Sequence, residues 1–480
     1  MAATYDGAIA WVGDTIVTSG QHDTDWGPGP LIDGASPPDA ISNTSYRVYK
    51  LYVDSLADNP NQDYLEWPVG DGAPVDEDGN PEMIGDQMCW SVYNDLDVER
   101  HVGGMGTVGV GLGLEVRQTA WAYAREGALA NIVFIKFQFF NEGPYDLEDV
   151  FVSLWSDPDL GDAGDDLVGC DSARSLGYCY NEGPDANYGS RPPAVGYDFF
   201  QGPLLETGNP DDIAKMWGQD WVGYINMPMS SFMIYINPYG PEVPTESYYF
   251  MNGLEKDGGP VIHTITGEET KFFGTGDPVT GEGFLDNNSS DRRFMQSVGP
   301  INLNQGDSTE IVAAILCGQG TSPTKSITEL RAIDDFAQTV YDNNFQLPDP
   351  PARPNVTIRN LDNEVVLTWD QTSEIEHGDF PFEGYALFQG PSANGPWSDT
   401  LMWSDLRNGM AGIIDYRFSN AAGMDLPYVA KPGTDEGLQR YFSTTRDVTG
   451  SGNLVNYTTY YYRVEAYSVD TLQPNGEKTL

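Results

Sequence analysis

Between Asn131 and Phe140 the chain reads NIVFIKFQFF, with Val133, Ile135, Phe137 and Phe139 on one face and Lys136 and Gln138 on the other. Side chains alternating with period two fit a strand that buries one face, and they do not fit a helix. The pattern recurs along the chain. Ala8–Val12, the turn Gly13-Asp14-Thr15 and Ile16–Thr18 read as a hairpin, and Leu114–Tyr123, Val150–Trp155 and Glu310–Cys317 read as further strands. With 54 glycines and 33 prolines in 480 residues, turns punctuate these runs densely. The intervening segments, around 20–45, 55–85, 156–220 and 238–290, read as long loops. The expected fold class is mainly β, and residues 1–321 are expected to form a large β-sandwich region.

One helix interrupts the β pattern, expected over 322–345. Ser322-Pro323 puts a proline near a first turn, and Ser326-Ile-Thr-Glu329 has the spacing of a capping box. Ile327, Leu330, Ile333, Ala337, Val340 and Tyr341 recur at helical spacing, and Asn343-Asn344 supply the stop. Residues 346–354 follow as a linker, with four prolines in the eight residues from Leu347 to Pro354. A module over 355–480 completes the expected domain order.

Charge narrows the partners. The chain has 24 basic and 72 acidic residues, a net charge of −48. Such a surface repels nucleic acid and anionic membranes and attracts cations. No apolar run approaches the length that spans a bilayer, so no membrane insertion is expected. The opening residues lack a basic and apolar leader pattern, and strand pattern begins almost at once, so the chain is expected to start inside a longer one. Cys89 and Cys317 lie in apolar strand-like runs and read as buried small hydrophobes, whereas Cys170 and Cys179 are close enough in sequence to bridge in an oxidising compartment.

The densest concentration of chemistry is Asp157-Pro-Asp159-Leu-Gly161-Asp162-Ala-Gly-Asp165-Asp166-Leu-Val-Gly-Cys-Asp171, six aspartates in fifteen residues. A hard cation such as Ca2+ takes six to eight oxygens, and closely spaced carboxylates on a glycine-bearing loop supply them. The loop is not an EF-hand, because the twelfth position counted from Asp157 is Val168 instead of a bidentate glutamate. Asp157, Asp159, Asp162, Asp165, Asp166 and Asp171 are therefore the candidate Ca2+ ligands, and no catalytic residue is assigned. Asp76-Glu-Asp78-Gly79-Asn80 reads as a plain turn. Gly104-Met-Gly106-Thr-Val-Gly109 has GxGxxG spacing without the strand before it and helix after it that a dinucleotide site needs. No GxSxG or HExxH motif occurs, and His22, His101, His263 and His377 sit in none either.

The C-terminal module carries a resemblance. Val365-Val-Leu367-Thr-Trp369 resembles the second strand of a fibronectin type III domain, and Phe382-Glu-Gly-Tyr385-Ala-Leu-Phe388 resembles the third. Leu454-Val-Asn456-Tyr-Thr-Thr-Tyr460-Tyr-Tyr462-Arg-Val464-Glu-Ala466 is similar to strand F. Tyr460 takes the place of the corner tyrosine, and Asn456 stands where the family usually has proline. The resemblance covers about 351–480 and implies a seven-stranded sandwich, here with a long insertion at about 391–450. Only Asn475–Leu480 remains for the seventh strand. Continuation of the chain, a short strand, or strand addition by a neighbouring molecule are the three ways to complete the sheet.

Residues Gly85–Asp95, Ser156–Gly161 with Asp165-Asp166 and Gly169-Cys-Asp171, and Pro192–Asp198 resemble large secreted surface proteins exported by type IX-type systems, which implies secretion and modularity. The expectation is a non-catalytic, secreted or cell-surface structural protein, stabilised by Ca2+. It would assemble with copies of itself through β-edge contacts into an extracellular fibre or layer. The alternative is a glycan-binding or polysaccharide-processing surface protein, for which the 11 tryptophans and 27 tyrosines would supply stacking faces.

Overall fold

The computed structural model describes residues 9–12, 15–18, 26–40, 42–57, 59–96, 111–124, 128–345, 351–374, 381–393, 397, 399–410, 412–419, 424–450 and 452–469. The glycine run 104–109, His22, His101, His377, linker residues 346–350 and Asn475–Leu480 lie outside that set. The chain is mainly β and divides into two compact units, Met1–Phe345 and Gln346–Leu480.

The first unit is built on ten principal strands and one long helix; two shorter helices, Gln62–Leu65 and Pro244–Met251, lie in segments expected to be loops and add to the single helix expected. In chain order they are β1 (Gln87–Asn94), β2 (Leu114–Ala122), β3 (Ile132–Asn141), β4 (Leu147–Ser156), β5 (Asp166–Asp171), β6 (Leu176–Asn181), β7 (Ala194–Gln201), β8 (Ser231–Ile236), β9 (Arg292–Leu303), β10 (Ser308–Gly318) and α1 (Pro323–Asp342). The larger sheet runs β1-β2-β3-β10-β7-β6-β5, with the short strands Gly27–Pro28 and Tyr49–Tyr52 on β1. The second runs β8-β9-β4 and continues into the hairpin Ile9–Val12/Thr15–Thr18. All these pairings are antiparallel. Their facing sides share one core. Val116, Ile135, Phe137, Val168, Cys179, Phe199 and Ile311 come from the first sheet, and Val152, Phe232, Phe294 and Val298 from the second.

Strand β3 shows why simple alternation understates this core. Val133, placed by its period on the buried face, is 42% exposed, while Phe134 on the opposite face is fully buried. The far face of the sheet is itself covered: Phe134 packs edge-on against Phe345, just beyond α1, and is stacked with Trp121. The segment 156–220 also departs from its reading as a loop. It contributes β5, β6 and β7, of which β5 and β6 are buried almost throughout. Strands covered on both sides do not alternate, and their Gly, Asp and Asn content resembles turn composition.

Ser322 caps α1, its side chain accepting from the Lys325 amide, and Pro323 fills the first turn. The helix thus starts a turn ahead of the Ser326–Glu329 box, and Ser326 is buried, donating to the Pro192 carbonyl. At Gly318 of β10 a Cβ would sit 2.3 Å from the Leu330 amide nitrogen, so the absence of a side chain lets the helix lie directly on the strand. The buried stripe of α1 includes Ile327, Leu330, Ala337, Val340, Tyr341 and also Asp334. Asp334 bonds carboxyl to carboxyl with Asp198 of β7; burial holds both protonation equilibria well above the ordinary aspartate range, Asp334 at about 8.

The cysteines are all free thiols. The β5–β6 register sets Gly177 opposite Cys170 and Val168 opposite Cys179, so these two are not cross-strand partners. Cys317 is exposed and Cys89 only partly covered, contrary to the buried reading, because both side chains point to the less covered face of their strands.

In the second unit, Val356–Leu361, Glu364–Trp369 and Tyr441–Thr444 form one three-stranded sheet, and Asp399–Asp405, Phe382–Gly390 and Tyr461–Ser468 form another. Leu367, Trp369, Tyr385, Leu387 and Leu454 make the core. Between 391 and 450 lie one strand of each sheet and a separate hairpin, Gly412–Ser419/Met424–Pro432.

Candidate metal centre

The acidic loop begins where β4 ends. Phe294 of β9 pairs with Ser156 of β4, which brings the start of β9 beside the exit of β4. Asp157, Asp159 and Asp291 meet there, one ligand atom from each lying within 4.8 Å of the others. The turn that returns Asp159 is tight: its φ is 41°, its carbonyl accepts from the Gly161 amide at 2.8 Å, and Gly161 lies against the Asp185 carboxylate.

Two of the carboxylates are held by one oxygen and leave the other unused. Asp157 Oδ2 pairs with Arg293 Nη2 at 2.7 Å, and Asp291 Oδ2 accepts from Asn237 Nδ2 at 2.9 Å. Asp157 Oδ1 and Asp291 Oδ1 are buried without a hydrogen-bond partner. Burial pushes the Asp157 carboxyl above the ordinary aspartate value, Arg293 opposes this, and Asp159 and Asp291 add to it. Three carboxylates facing one guanidinium leave two negative charges, which a divalent cation balances. The donors are all oxygen, the set that hard cations take.

The remaining aspartates of the motif are placed elsewhere. Asp162 caps the short 3-10 turn Ala163–Asp165, accepting from the Gly164 amide at 3.0 Å. Asp165 accepts from Asn181 Nδ2 at 2.6 Å. Asp166, the first residue of β5, is fully buried, and desolvation pushes its carboxyl up to about 7. Asp171 lies at the far end of β5, about 17 Å along a strand of this length, where it pairs with Arg174 at 2.7 Å and approaches Arg331 at 3.7 Å. The motif therefore does not wrap a single ion with all six carboxylates. Asp291, the member of the cluster from outside the motif, sits in an Asp-Arg-Arg run with no local signal of that placement; only the pairing of β4 with β9 brings it in.

Asp76 is the anchor of a turn, its Oδ1 accepting from the amides of Asp78 and Asn80. His263 closes a turn by accepting from the amides of Ile265 and Thr266. Among the described residues, no helix is long and apolar enough to cross a membrane.

No protein-family model matches the chain, and no curated protein matches it. Among solved structures, a polysaccharide lyase is similar over 74% of this chain at 9% identity, with a TM-score of 0.21. The chain spans 33% of that structure's length. A likeness at that score carries no argument about fold or chemistry.

Proposed function

We propose that the protein is a non-catalytic structural module of a secreted or cell-surface protein, held together by Ca2+ bound between Asp157, Asp159 and Asp291. The observation that carries this reading is the pair of buried, unpartnered oxygens, Asp157 Oδ1 and Asp291 Oδ1, within one cluster of carboxylates. A buried acceptor with no partner costs about 1–3 kcal/mol, and more when charged. A bound cation removes that cost and the repulsion together.

The same reading takes the C-terminal unit as a fibronectin type III-like module. Support comes from Trp369, buried beside Tyr385, and from the Tyr460 hydroxyl, which accepts from the Val455 amide at 2.9 Å as a corner tyrosine would. Self-association through a sheet edge belongs to the proposal as well. Val356–Leu361 edges its sheet and is exposed along its whole length, with Ile358 at 53% and Leu361 at 54%.

Thermal unfolding in calcium and in EDTA tests the central claim. An ion at 100 times its dissociation constant stabilises by about 2.7 kcal/mol, which for a unit of this length corresponds to about 4 °C. Asp157→Asn with Asp291→Asn should shrink that difference. Identical melts of the wild-type chain in both buffers would rule the calcium site out.

A further inference from the structure

Next to the first cluster, three oxygens converge on one nitrogen. Asn181 Nδ2 lies 2.9 Å from the Leu160 carbonyl oxygen, 2.6 Å from Asp165 Oδ1 and 3.4 Å from Asp166 Oδ1. An amide nitrogen carries two hydrogens, so three acceptors exceed what it can donate. The other end of the same amide is starved: Asn181 is fully buried, and its Oδ1 has no partner. Half a turn of the amide exchanges two atoms of nearly equal size and sends Oδ1 to the point where the three oxygens meet. Four oxygens then face one another, an arrangement that a cation holds together.

Charge points the same way. The neighbouring carboxylates Asp157 and Asp286 each have a cation of the chain beside them, Arg293 and Arg292. Among the described residues no arginine or lysine pairs with Asp165 or Asp166, and Asp166 is fully buried. Two uncompensated carboxylates and two neutral oxygens form a hard-cation donor set of the kind calcium takes. The strands fix it in place, because Asp166 and Asn181 are direct cross-strand partners of β5 and β6.

We infer that the acidic loop holds a second divalent cation, bound by Asp165, Asp166, the Leu160 carbonyl and the side-chain oxygen of Asn181, so that the loop is a two-ion clasp. The inference rests on the calcium reading of the first cluster and extends it. Asp159 and Leu160 lie side by side in the turn, and Asp159 acts electrostatically on both Asp157 and Asp166, which couples the two ions.

Calorimetric titration of the EDTA-stripped, dialysed full chain with calcium chloride, in 150 mM potassium chloride to screen the diffuse acidic surface, counts the ions. The expected result is two per chain in the wild type. Asp165→Asn with Asp166→Asn should retain one, and Asp157→Asn with Asp291→Asn should also retain one. Because the wild-type count decides by itself, an unfolded variant does not shield the inference. One ion in the wild type, kept in the first variant and lost in the second, overturns the second site and leaves the first. No ion overturns both. Two ions undiminished by the Asp165/Asp166 changes in a chain whose calcium-free melt matches the wild type overturn the placement.

Discussion

At the scale of single residues, the carboxyl pair Asp198–Asp334 has the plainest consequence. The two groups are 1% and 2% exposed, touch each other, and have Asp171, Asp335 and Arg174 around them, with Arg174 already committed to Asp335 and Asp171. Desolvation favours the protonated form, and Asp334 titrates at about 8 in the folded chain against an ordinary value near 4. A carboxyl whose folded value is raised contributes stability that is fully present below about pH 4 and is lost as pH climbs through 8. Asp334→Asn mimics the protonated acid. It should stabilise the protein by at least about 1 kcal/mol at pH 8 and by much less at pH 5, as read from denaturant melts at the two values. Equal effects at both would refute the shared-proton account. Asp334 also shows what a sequence conceals: at its helical position it reads as a solvent-facing acid between Ile333 and Asp335. Asp157 and Asp159 were legible because aspartates two apart in a turn are a local pattern. Asp291 was not, since its role exists only after two strands pair.

At the scale of elements, the contact between α1 and the larger sheet depends on a missing side chain. Gly318→Ala places a Cβ against helix backbone, which has no rotamer to yield, and should destabilise by about 1–3 kcal/mol. A surface glycine such as Gly208, with nothing near its built Cβ but a φ of 68°, provides a contrast in which only backbone strain acts. Urea midpoints of the two variants compare them, and an unperturbed Gly318→Ala would mean the helix shifts freely on the sheet. The helix itself was readable from Ser322, Pro323 and its apolar spacing, since caps and period act locally. Strands β5 to β7 were hidden for the opposite reason. Cover on both faces erases alternation, and glycines such as Gly177, whose Cβ would meet Gln296 and Phe232, are there because of close packing.

At the scale of the whole molecule, the net charge of −48 makes the open sheet edge more demanding to pair, because two copies repel at low salt. Association through Val356–Leu361 should therefore strengthen with ionic strength and calcium, and Ile358→Lys should abolish it. Sedimentation velocity at two salt concentrations reads this directly; a wild-type chain that stays monomeric in both would remove the edge from the proposal. Of the overall design, the mainly β class was visible in advance, because periodicity is a property of short windows. Which strands pair to build the two sheets was not, because pairing joins windows far apart.

That distance gives the carboxylate cluster a further meaning. Asp157 and Asp291 are 134 positions apart in the chain, so the proposed ion between them would be a removable cross-link that closes a very long loop. Such a link can form only after β4 and β9 have paired, so it is expected to form late in assembly and to break early in disassembly. Interactions absent from the transition state change the rate of unfolding and leave the rate of folding nearly untouched. Stopped-flow traces should show calcium slowing unfolding with little effect on refolding. The ion would then set the lifetime of the folded chain in the medium around it, and a chelating environment would shorten that lifetime without altering a single bond of the polypeptide.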